Sequence, residues 1–197
     1  MVASAGVTAK SFTPIDFAQL LAVAVIWGVN NVAAKVALNT FPPLMMAAMR
    51  FALVLAALAW MLRWPARESM KPLVIMLLLC GPLHFGVQNI GLAMAHDLAP
   101  MVIAMQLWVP SSVIGAAILL KEPIQPLRAL GVALGFAGVA SMAFDPVIFA
   151  QGWALVLVAG AAASYGVGTV LVRRIVGVHA WAMQAWLALS IAPLLSI

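Results

Sequence analysis

Six apolar stretches of about twenty residues, with a shorter seventh behind them, leave this chain almost no fold that water could tolerate. A helix crosses the hydrocarbon of a bilayer with about 20 mostly apolar residues at 1.5 Å rise each. The spans predicted are Asp16–Leu38, Pro43–Leu62, Pro72–Met94, Ala99–Leu120, Pro126–Phe144, Gly152–Val172 and Trp181–Ile197. Of the 197 residues, 66% are hydrophobic and 8% charged, against about 25% charged in a soluble domain. That much apolar surface cannot hide in one core. The expected fold is an all-α integral membrane bundle of about seven helices, with the lipid bilayer as its main partner.

The run from Phe17 to Leu38 behind Lys10 is too long for the core of a signal peptide, and further spans follow it. It is read as an uncleaved first helix. The net charge of +5 does not point to nucleic acid, because the cations are scattered between apolar segments rather than gathered on a patch. Cys80, alone, forms no intrachain disulfide.

The loop charges are ordered. With the N-terminus inside, the inner segments hold Lys10, Arg63, Arg67, Lys71, Lys121, Arg128, Arg173 and Arg174. The outer loops at 39–42, 95–98 and 145–151 hold no Lys or Arg, only Asp97 and Asp145. The positive-inside rule therefore places the N-terminus in the cytoplasm.

The two remaining cations fall within spans. A positive charge near mid-membrane costs about 2.5–3.5 kcal/mol on insertion scales, so each needs a reason. Trp27, Asn31 and Lys35 recur every four residues and share one face of the first helix. An aromatic, an amide and a cation on one face suit a zwitterionic or anionic solute. The alternative is that Asn31 bonds another helix and Lys35 snorkels to the outer interface. Arg50 lies some seven residues inside the second helix, about 10 Å deep. Its guanidinium stays charged and serves either a solute carboxylate or backbone carbonyls.

The third helix carries Gly81, His84, Gln88 and Gly91 on one small and polar stripe. Gln88 is a candidate cavity-lining residue. His84 is either a proton-coupling group or a hydrogen-bonded packing residue. The fourth helix offers Gln106 as a substrate-path candidate and Pro110, which lacks a backbone donor, as a kink and hinge candidate. Gly131, Gly135 and Gly138, and Gly160, Ser164 and Gly168, read as small-residue faces for close helix packing. His84, His96 and His179 are dispersed, and there is no phosphate loop, no HExxH and no pair of carboxylates. Neither metal nor cofactor is expected, and no catalytic set is visible.

Residues 27–35, WGVNNVAAK, align without gaps on residues 165–173, YGVGTVLVR. The shared pattern is aromatic-Gly-Val, a later Val and a final cation. The copies lie 138 residues and five helices apart. An odd number of helices inverts the second copy, as in the inverted repeats of many secondary transporters.

WGVNNVAAKVAL followed by PPLMMAAMRF resembles the opening of the EamA branch of the drug/metabolite transporter superfamily, nearest its O-acetylserine/cysteine exporters. The run Leu119-Leu120-Lys121-Glu122-Pro123, then Leu130-Gly131, Gly135 and Gly138-Val139, is similar to the end of helix four and start of helix five there, and Pro110 fits the same pattern. Asn31 departs from it, standing where many relatives carry Phe. The resemblance implies ten helices in two inverted five-helix repeats, with residues 1–145 the first and 146–197 the start of the second. A chain ending in helix seven is then expected to be a fragment. It also implies a multi-pass protein of the bacterial inner membrane, not an enzyme, that exports small polar metabolites such as amino acids or their derivatives by alternating access. A homodimer is a further expected partnership. The competing reading is a membrane sensor or assembly subunit without transport of its own.

Overall fold

A computed structural model of the chain describes residues 13–142 and 144–192. It divides into two compact units, one ending at Ala34 and one beginning at Lys35. Among the described residues there are seven helices of ten or more residues: α1 Pro14–Ala37, α2 Pro43–Met61, α3 Arg67–Met94, α4 Leu98–Leu120, α5 Pro126–Met142, α6 Gly152–Arg174 and α7 Ala180–Ile191. A single turn, Pro146–Phe149, sits between α5 and α6. All but α5 and α7 are long and apolar enough to cross a membrane. Lys10 and the last five residues of the expected seventh span lie outside the described residues.

The N-terminal unit consists of most of α1. Thr13 and Asp16 start the helix reciprocally. The Thr13 hydroxyl accepts from the Asp16 amide at 3.2 Å, and the Asp16 carboxylate accepts from the Thr13 amide at 2.9 Å. This is the capping-box logic, in which two otherwise orphaned amides are satisfied together.

In the main unit, α6 is the central element. It buries Ala154, Leu155, Val158, Ala161, Ala162, Gly166, Gly168 and Val170 along its length, against α3 and α4. α7 packs on α2 and α3, and α5 lies on α4. Two apolar cores result. Phe51, Leu73, Met76, Leu77, Leu171, Leu187 and Ile191 form one, and Leu92, Met101, Ala104, Leu155 and Val158 the other. Lipid is as apolar as these side chains, so close packing and polar cross-links must hold the helices together.

Of the glycines expected to pack, Gly135 and Gly168 do and the others do not, while Gly166 joins them. A Cβ on Gly166 would lie 2.3 Å from the Trp108 carbonyl oxygen, and one on Gly168 2.4 Å from the Cys80 sulfur. Gly160, Gly131 and Gly138 have nothing within 4 Å of that position. On α5 it is Gly135 that meets a neighbour, Pro110 at 3.5 Å. The inward face of α6 therefore runs through Gly166 rather than Gly160.

Two of the long helices are irregular at depth. α3 begins at Arg67, before the expected Pro72, and widens into a π-helical stretch over Leu79–Gly86. Gly81 leaves helical geometry there (φ −94°, ψ −107°), and Pro82 follows it without a donor. The Ser164 hydroxyl of α6 lies 3.2 Å from the Leu79 carbonyl and 2.9 Å from the Ala161 carbonyl of its own helix, so its single proton serves one or the other. α4 breaks at Gln106–Leu107. Pro110 cannot donate to the Gln106 carbonyl, which instead accepts from Val109 at 3.1 Å. The turn tightens there to i→i+3 bonding.

Side-chain contacts sort the loops onto two ends. Arg173 pairs with Glu122 at 2.7 Å, Arg174 donates to the Leu119 carbonyl, and the Ser69 hydroxyl accepts from the Val176 amide at 3.0 Å. Those contacts gather the cation-bearing segments. At the opposite end, the Gln151 amide oxygen accepts from the His96 and Asp97 backbone amides at 2.8 and 3.1 Å. The Arg173–Glu122 pair is exposed. Glu122→Gln is expected to lower stability by at most about 1 kcal/mol, read as a small shift in thermal unfolding that disappears in high salt.

Candidate functional site

The site is built around an irregular segment of α3 facing three other helices. π-Helical winding at Leu79–Gly86 sets His84 and Phe85 side by side, with ring centroids 4.6 Å apart. Phe85 meets Phe51 of α2 at 4.6 Å, and His84 meets Tyr165 of α6 at 4.5 Å. Tyr165 in turn lies edge-on to Trp108 of α4 at 6.0 Å. A row of rings thus crosses α2, α3, α6 and α4.

Arg50 stands at one end of the row. Its guanidinium carbon is 5.8 Å from the Phe51 ring centre and 5.9 Å from that of Phe85. Both are within cation–π range, worth about 0.5–2 kcal/mol depending on desolvation. Among the described residues no carboxylate or hydrogen-bond acceptor engages this guanidinium. Its donors therefore stay available to a planar anion, with which a guanidinium can bond bidentately.

His84 is buried, and its Nδ1 lies 2.7 Å from the Ala161 carbonyl oxygen. A carbonyl can only accept, so Nδ1 carries the proton in this contact. The imidazole thereby fastens α3 to α6. Gln88, one turn further along α3, is half-buried, and none of the described residues hydrogen-bonds its amide. Its neighbour Asn89 is buried and donates to the Pro43 carbonyl at 3.2 Å, tying α3 to the start of α2.

The other candidates lie elsewhere. Lys35 is at the far end of α3, its Nζ donating to the Leu92 and Ala95 carbonyls at 2.7 and 2.5 Å. Two of its three donors are thereby engaged. Gln106 and Pro110 line a cavity of about 220 Å³ between α4 and α5, with Leu134 and Gly135 opposite. Trp27 and Asn31 belong to the N-terminal unit. Among the described residues no three of His, Cys, Asp and Glu gather as a metal site would require.

So the structure joins Arg50 to His84 through Phe85 and leaves Lys35 and Gln106 apart from them. Phe51, Phe85, Trp108 and Tyr165 were not singled out by sequence for this role. Tyr165 alone carried a signal, as the aromatic that opens the second copy of the internal repeat.

Helices long and apolar enough to span, polar groups held between them and cations sorted to one end define a multi-pass α-helical membrane protein. The chain belongs to the EamA-like transporter family, whose model matches residues 17–144. It is also similar to a Bacillus subtilis (strain 168) protein described as an uncharacterized transporter, YvbV, with 32% identity over 171 residues. That match covers 80% of this chain and 53% of the relative, so the chain spans about half the length of the curated relative it matches. No solved structure matches the chain.

Proposed function

We propose that this protein is a secondary transporter of the bacterial plasma membrane, exporting small polar metabolites by alternating access. The observation that carries the reading is Arg50, held over two rings with its hydrogen-bond donors unclaimed by the described chain. A guanidinium carried on an apolar helix, exposed and lying over two rings, suits a solute carboxylate. The amino-acid class, with cysteine and O-acetylserine as its models, rests on the sequence resemblance. Gln88, further along α3, adds an amide that none of the described residues engages, and Trp27, Asn31, Lys35 and Gln106 remain further candidates along the path.

In this reading residues 1–145 form one inverted repeat and 146–197 begin another, and the cationic end faces the cytoplasm. The break in α4 supports Pro110 as a hinge, since discontinuous helices commonly flank transporter sites. Pro110→Ala restores a donor opposite the Gln106 carbonyl. It is expected to slow transport while leaving the unfolding temperature unchanged or higher.

The direct test is export of labelled amino acids by the complete protein reconstituted in vesicles. Arg50→Ala should reduce transport by roughly 10- to 150-fold, the equivalent of about 1.5–3 kcal/mol for a hydrogen bond to a charged group. Arg50→Lys should rescue little, because an ammonium lacks the planar fork. Gln88→Ala should raise the half-saturating concentration. Wild-type transport in both Arg50→Ala and Gln88→Ala would remove the site from consideration.

A further inference from the structure

We propose that the cavity between the end of α2 and the start of α7 binds the headgroup of an anionic phospholipid. Its volume is about 350 Å³, and Trp60, Met61, Arg63, Val178 and His179 are among its lining residues. Cavities of about 300 Å³ and more hold small ligands. Arg63 brings a cation to this lining and His179 an imidazole, and no carboxylate lines it. Among the described residues the Arg63 guanidinium has no ion pair. The Arg63 backbone is anchored instead, its carbonyl accepting from the Trp186 indole at 3.1 Å. Trp64 packs edge-on against Trp186 at 5.3 Å. The guanidinium is thus presented from a fixed segment rather than a loose loop.

Location favours lipid over a soluble anion. Trp60 and Trp64 are 78% and 81% exposed, and Trp181 is also exposed near the start of α7. Tryptophans gather in this way at the headgroup level of a bilayer. Within the main unit the same end carries Arg67, Lys71, Lys121, Arg128, Arg173 and Arg174 against two acids, Glu68 and Glu122, a field that concentrates anionic lipid. A second cavity at this end is a poorer candidate. It measures about 80 Å³, and Glu122 within it already neutralises Arg173.

The test is native mass spectrometry of the purified protein released from mild detergent, with phosphatidylglycerol or phosphatidylcholine added. Phosphatidylglycerol should be retained in preference. Arg63→Gln, which keeps the backbone bond to Trp186, should cut its occupancy about fivefold, and Lys121→Gln should leave it unchanged. Equal retention by Arg63→Gln and the wild type overturns the proposal. Equal losses in Arg63→Gln and Lys121→Gln also overturn it, as diffuse charge would then suffice. Glycerol 3-phosphate binding as tightly as the lipid would assign the cavity to a soluble anion instead. None of these outcomes depends on whether a solute is transported.

Discussion

Gly166→Leu is expected to eliminate folded protein, while Gly160→Leu, six residues earlier on the same helix, is expected to be tolerated. A Cβ at Gly166 would sit 2.3 Å from the Trp108 carbonyl oxygen, 2.9 Å from the Ser111 Cβ and 2.9 Å from the Ser112 amide nitrogen. Two of those atoms are backbone, so no rotamer change relieves the contact. α4 and α6 must separate, and the Trp108–Tyr165 contact at the end of the aromatic row goes with them. Extra methylenes forced into a packed interior cost about 1–3 kcal/mol and sometimes more, and even one Cβ is unaccommodated here. A whole leucine therefore approaches the 5–15 kcal/mol that separates folded from unfolded domains. Gly160 has open space where the new side chain would go, and leucine is a better helix former than glycine by about 0.8 kcal/mol. Size-exclusion profiles and thermal unfolding in detergent would compare the pair. A Gly166→Leu protein that elutes and melts like the wild type means that α4 and α6 do not meet at this glycine.

Lys35→Met is expected to destabilise the protein by about 2–4 kcal/mol, and Lys35→Arg by much less. The last carbonyls of a helix have no partner within it, and they carry its negative dipole end. Lys35 supplies an ammonium to the Leu92 carbonyl, in the last turn of α3, and to the Ala95 carbonyl just beyond. Hydrogen bonds to a charged group contribute about 1.5–3 kcal/mol each, and a stranded partner adds a desolvation penalty. Methionine keeps the length of the side chain and removes every donor. The same variants separate the two roles open to Lys35. If Lys35→Met lowers the unfolding temperature and transport falls only as folded protein is lost, the lysine is a fastening. Transport lost at wild-type stability would give its third donor to the solute, and a Lys35→Met protein as stable as the wild type would sink the predicted cap.

Much of the architecture was legible in the sequence because it depends on local composition. Apolar run length gave the helix positions to within a few residues, except at α3. There Pro72 was read as a start, although a polar turn from Arg67 precedes it. The interruption of α4 at Gln106–Leu107 follows from the donor that Pro110 lacks, a property of one residue. The break in α3 at Gly81–Pro82 is less legible, because the partner near its widened turn, the Ser164 hydroxyl that reaches the Leu79 carbonyl, comes from another helix. Family membership was legible through WGVNNVAAKVAL and PPLMMAAMRF, motifs that lie within the matched residues 17–144.

By itself, then, the sequence determined that this chain is a bundle of membrane-spanning helices with its cations sorted to alternate loops. Both properties are summed over many residues and survive ignorance of which helix touches which. Only the tertiary structure decided that Gly166 rather than Gly160 faces a neighbour, that Lys35 caps α3, and that Arg50, Phe85, His84, Tyr165 and Trp108 stand in one row. These helices are apolar on nearly every side, because lipid and protein interior select the same residues. Periodicity therefore cannot tell an inward face from an outward one, and the pairing of polar groups waits on the register between helices.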